Sequence, residues 1–117
     1  MSTESQKANQ RRFFRLAYPL SDRPQLLLDG RNYEVSEISE RGLRIYCTQT
    51  SKFEVGQCVE GVIIFHDGES AKISGTVGRL SDIEVVVVRV EGVTFARMVD
   101  EQRHLINKYS PVFGTKR

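Results

Sequence analysis

An all-β domain with a C-terminal helix is the fold class this sequence predicts, built as a small antiparallel β-barrel of six or seven strands. Three observations predict it. Short segments rich in β-branched and apolar residues recur across the middle of the chain, separated by turn residues about every eight to twelve positions, the spacing of a barrel or sandwich. Two of the turns, Asp29-Gly30 and Asp67-Gly68, carry the dipeptide that best matches the twist of a tight hairpin. Helical periodicity appears convincingly only once, near the C-terminus, where Leu105, Ile106 and Tyr109 share a face and Pro111 follows.

Taken in order, residues 1–10 are polar, rich in Ser, Gln and Asn, and too poor in apolar residues to bury anything, so they are expected to form a disordered arm. The domain is expected over 11–113, with 114–117 as a tail. Residues 12–19 mix aromatics, arginine and proline; Pro19 turns Tyr18 away from helix, which makes this an extended lead-in anchored by Phe13 and Phe14. Residues 25–28 and 33–38 pair as a first hairpin. Gly42 opens a third strand over 43–48, with Leu43, Ile45 and Cys47 on one face and Arg44 and Tyr46 on the other.

After a polar connection, residues 58–65 and 71–80 form a second hairpin about His66-Asp67-Gly68-Glu69. Residues 83–90 contain four consecutive valines, too β-branched for a comfortable helix. Gly92 breaks or bulges this segment, and 93–96 is expected as the last strand. Asp100 is the expected N-cap of a helix over 101–109 that packs on the barrel or over one mouth.

Composition narrows the function. Seventeen Lys and Arg against fifteen Asp and Glu leave a net charge of +2, without the basic excess that duplex nucleic acid demands. No apolar run approaches the roughly 20 residues that span a bilayer, and no signal-peptide pattern opens the chain, so no membrane insertion and a cytoplasmic location are expected. Cys47 and Cys58 lack metal or redox spacing and are expected as half-buried hydrophobes. His66 and His104 have no partners by spacing and are expected on a solvated turn and the helix surface. Without a nucleophile–base pair, a phosphate-cradling glycine loop or a metal cluster, neither catalysis, a metal nor a cofactor is expected.

Two stretches suggest binding instead. Arg11, Arg12 and Arg15 end the arm; Glu37, Ser39 and Gly42 lie between two strands. An arginine fork grips phosphate oxygens and equally the O6 and N7 acceptors of guanine. A carboxylate accepts from the N–H groups of guanine's Watson–Crick edge, a serine hydroxyl can donate or accept beside it, and a glycine permits positive φ or close approach.

In these stretches the chain resembles the PilZ domain, a bacterial receptor module for cyclic di-GMP, from Arg11 to Tyr109. Arg11, Arg12 and Arg15 match its RRxxR motif before the first strand. Ser39 and Gly42 match [DN]xSxxG, followed by the typical Leu43-Arg44-Ile45; Gly75-Thr76-Val77 and Gly92-Val93-Thr94-Phe95 are weaker echoes. Glu37 departs from the pattern, keeping the carboxylate but adding a methylene. The resemblance implies a PilZ-like split barrel in which Arg11, Arg12 and Arg15 wrap the ligand while Ser39, Gly42 and, with its longer side chain, Glu37 hold guanine. It also implies an arm that changes conformation on binding and signals to an unidentified protein effector. Other readings are a PilZ-like adaptor that has lost ligand binding and a barrel for single-stranded nucleic acid. The closing helix could pair two copies as a homodimer.

Overall fold

The computed structural model describes residues 15–109. Arg11, Arg12, Phe13 and Phe14, and the boundaries expected at 10/11 and 113/114, lie outside the described residues. Among the described residues seven strands are present: β1 (Arg15–Ala17), β2 (Gln25–Leu28), β3 (Arg31–Ser39), β4 (Gly42–Tyr46), β5 (Cys58–Ile64), β6 (Ser70–Leu80) and β7 (Glu84–Glu91), followed by helix α1 (Phe95–Tyr109). Antiparallel pairing runs β3-β2-β5-β6-β7-β4 and returns to β3, closing a six-stranded barrel with β1 as an extra strand.

The β2–β3 hairpin follows from its turn, for Asp29 and Gly30 both take positive φ, 52° and 76°, as a two-residue primed turn requires. The register then pairs Leu28 with Arg31. β3 is longer than β2 and uses one edge twice. Residues 31–34 pair with β2, whereas Glu37, Ile38 and Ser39 pair with Ala17, Leu16 and Arg15 of β1. The opposite edge carries β4, so β1 occupies edge space that β2 leaves unpaired. This double use brings the end of the N-terminal arm beside Ser39.

Alternation places Leu26, Val35, Ile38, Leu43, Ile45, Ile63, Val77, Val85 and Val87 in the interior. In β7 the alternation slips at Arg89, which takes a φ of 55°. Val85, Val87 and Val90 are therefore the buried positions, and the β6–β7 register shifts accordingly.

Three expectations are corrected at the C-terminal end. Residues 95 and 96 open the helix rather than closing a strand, and the cap is Thr94, not Asp100. The Thr94 hydroxyl accepts the Arg97 N–H at 3.0 Å and its carbonyl accepts the Met98 N–H at 3.1 Å. Val-Thr-Phe reads locally as β, but Gly92 turns the chain off the barrel and Thr94 satisfies the freed helix donors. Thr94→Ala is expected to cost about 1 kcal/mol in urea denaturation. The buried seam is Met98, Glu101 and Leu105, while Ile106 and Tyr109 are exposed. Burial of an acidic residue is what the apolar periodicity could not anticipate. Neither cysteine is half-buried: Cys47 is buried and Cys58 is exposed at the start of β5, and both are free thiols.

Candidate functional site

Three strands converge on one patch of the barrel's outer surface. Leu16, Ile38 and Leu43 face the core, so their neighbours Arg15, Glu37, Ser39, Gly42 and Arg44 face outward. Cross-strand register assembles them: Arg15 lies opposite Ser39, Ser39 opposite Gly42, and Glu37 opposite Arg44. A bulge between Val35 and Glu37 adjusts the register just before the site.

Space is tight at Gly42. It is not among the positive-φ glycines, so the first of the two reasons offered by the sequence does not apply. A Cβ at this position would lie 3.0 Å from Ser39 Oγ and 3.4 Å from the Val87 carbonyl oxygen, pressing the hydroxyl slightly aside. The Ser39 hydroxyl makes only a long contact, 3.5 Å, to the Gly42 carbonyl. It is thereby left with capacity for another partner.

The longer side chain of Glu37 has a visible use. One carboxylate oxygen lies 3.4 Å from Arg44 Nε and the other 3.9 Å from Arg15 Nε. Arg44 in turn donates to Glu84 at 3.0 Å. Cations and anions thus alternate across β1, β3, β4 and β7. The Arg15 side chain is 72% exposed while that of Glu37 is only 23%, so the carboxylate is the firmer part of the pair.

Arg15, Glu37, Ser39, Gly42 and Arg44 line a groove of about 440 Å³ that continues over Arg41 and Val86–Val88. Depressions of about 480 and 590 Å³ lie elsewhere, so volume does not distinguish the groove; the chemistry of its lining does. Arg11 and Arg12 lie outside the described residues. Arg44 and Glu84 are additions to the expected set. Strand alternation already placed Arg44 on the outer face, but only the β4–β7 pairing brings Glu84 to it.

A second polar cluster joins the helix to the barrel and gives the turn histidine and the helix histidine partners that spacing did not show. Glu101 is fully buried, accepts the Tyr18 hydroxyl at 2.8 Å and lies 2.5 Å from His66 Nδ1 and 3.3 Å from the Arg97 guanidinium. His66 and His104 stack face to face with ring centroids 3.8 Å apart. They are 38 positions apart in the chain, so no spacing rule could pair them. Burial, followed by the Glu101 hydrogen bond, pushes the Tyr18 hydroxyl pKa well above its ordinary value. Lower on the helix, Asp22 accepts from Lys108 at 2.7 Å and from the Tyr109 hydroxyl. Those two hydrogen bonds, Lys108 first, hold its carboxyl below the usual range.

Among the described residues no group of three or more His, Cys, Asp or Glu could hold a metal ion. Among them, too, no helix is long and apolar enough to cross a membrane. No curated protein matches the chain. The family profile of the PilZ domain matches residues 9–110, a span that takes in both motifs, the whole barrel and the helix. The chain belongs to the PilZ domain family, the family of cyclic di-GMP receptors.

Proposed function

We propose that this chain is a cytoplasmic, non-catalytic receptor that binds cyclic di-GMP at the groove across β1, β3, β4 and β7 and signals to a protein effector. The observation that carries the reading is the convergence of Arg15, Glu37, Ser39 and Gly42 on one outer patch in a PilZ-family chain. Ser39 and Gly42 offer guanine a hydroxyl and a close backbone approach. Glu37 offers an acceptor for its N–H groups, and Arg15, joined by Arg11 and Arg12, grips phosphate and the O6/N7 edge.

The register sharpens the energetics. Arg15 already pairs with Ser39, so its backbone needs no further ordering on binding, which otherwise costs about 1–2 kcal/mol per residue. Each charge-assisted hydrogen bond it makes to the ligand then contributes about 1.5–3 kcal/mol. The signal has a material route. β1 runs directly into Tyr18, which bonds Glu101 of α1, and then into Asp22, which bonds Lys108 and Tyr109. A shift of the arm and β1 therefore moves the helix, whose exposed Ile106 and Tyr109 offer a surface for the effector.

Calorimetric titration with cyclic di-GMP is expected to give a dissociation constant in the micromolar range or tighter, about 8 kcal/mol or more. Replacing Arg11 and Arg15 together by alanine is expected to abolish the heat. No signal well above micromolar ligand overturns the receptor reading; a signal surviving the double substitution overturns the site.

A further inference from the structure

We propose that Arg44 is a further ligand-contacting arginine of this groove, gripping a phosphate of the cyclic dinucleotide. This rests on the receptor reading above and assigns a residue outside both sequence motifs.

The charges of the groove favour an anionic ligand. Its lining contains Arg15, Arg41 and Arg44 against Glu37, and Glu84 pairs with Arg44 from just outside the lining, so the positive charge left over is complementary to a phosphodiester of a cyclic dinucleotide. Of these arginines Arg44 is the best prepared. It sits on a paired strand of the closed barrel, between β3 and β7, and its side chain is 32% exposed against 72% for Arg15. Glu84 at its terminal nitrogen fixes its orientation, while Glu37 makes a longer contact at Nε. A side chain already held in place loses less freedom on binding.

Arg44 also retains the capacity to bind. A guanidinium carries five N–H donors, and the two carboxylates engage Nε and one terminal nitrogen, leaving donors for a phosphate. The pair with Glu37 is partly exposed on both sides, and such pairs contribute less than about tenfold to an equilibrium. A phosphate can therefore displace Glu37 from Arg44 at small cost. Displacement frees a Glu37 oxygen for guanine, so that one exchange prepares both ends of the site.

Titrating cyclic di-GMP into the wild type, Arg44→Ala, Glu37→Ala and the double variant tests this. Arg44→Ala is expected to weaken binding by about tenfold to a hundredfold, in the wild-type and the Glu37→Ala background alike. Arg44→Lys, which keeps the charge but loses the fork, is expected to recover only part of the loss and serves if the alanine variant does not fold. A loss seen only while Glu37 is present would mean that Arg44 merely positions Glu37, and the proposal falls. Unchanged affinity in every Arg44 variant, with the wild type binding, overturns Arg44 and leaves the receptor reading intact. Absence of binding by the wild type overturns both.

Discussion

Gly92→Ala is expected to lower the stability of the domain by about 3 kcal/mol or more, and its melting temperature by about 10 °C or more. Gly92 has a φ of 117°, a region that side chains strain to enter. Crowding adds to the strain. A Cβ there would lie 2.0 Å from the Lys72 carbonyl oxygen and 3.0 Å from Ile73 Cα, and both obstacles are backbone of β6, which is paired on both edges. The clash cannot be relieved by a rotamer change; either β6 or the departure of the chain towards α1 must shift. Gly30→Ala is the control, since Gly30 also has positive φ but nothing within 4 Å. There only backbone strain remains, about 1–2 kcal/mol. Thermal and urea denaturation of the two variants measures the difference. A loss below about 1 kcal/mol at Gly92 would show that the corner is soft and the argument from crowding wrong.

Glu101→Ala is expected to cost about 3–5 kcal/mol, because it removes one member of a buried charged network and leaves its partners behind. The Tyr18 hydroxyl, His66 and the Arg97 guanidinium would all lose an acceptor at once. Arg97 would retain Asp67 at 3.1 Å, which limits the damage to the inner side of the cluster. Glu101→Gln keeps the shape and one acceptor oxygen, and is expected to cost about 1–3 kcal/mol. Tyr18 adds a dependence on pH. Its pKa is raised in the folded state, so its contribution is fully present below the unfolded value near 10 and is lost as pH rises above it. Urea denaturation of the wild type from neutrality to about pH 11 should therefore show stability turning down above about pH 10. A Glu101→Ala variant as stable as the wild type at neutral pH would show that helix docking is apolar alone.

Much of the barrel was legible because its signals are local. The β2–β3 hairpin needs only Asp29-Gly30, two adjacent residues able to take positive φ. The faces of β4 follow from alternation, which put Leu43 and Ile45 inside and Arg44 and Tyr46 outside. Where local and tertiary preferences disagree, the residues gave no warning. Val93 to Ala96 has β propensity, yet Phe95 begins the helix, because the turn at Gly92 and the hydroxyl of Thr94 outweigh a preference of a few tenths of a kcal/mol per residue. His66 and His104 looked unrelated, and docking of the helix stacks them.

The candidate site divides in the same way. The residue types suited to a guanine dinucleotide, Arg15, Glu37, Ser39 and Gly42, were legible from the order of two motifs around a hairpin, since each motif lies within a few consecutive positions. That Arg15 stands opposite Ser39 depends on β1 taking the edge of β3 beyond β2. That Glu37 engages Arg44, and Arg44 engages Glu84, depends on closure of the barrel through β4 and β7. Residue order along the chain therefore determined the local turns, the strand faces and the chemistry on offer. Barrel closure, which brings distant residues within hydrogen-bonding reach, decided how those groups are paired.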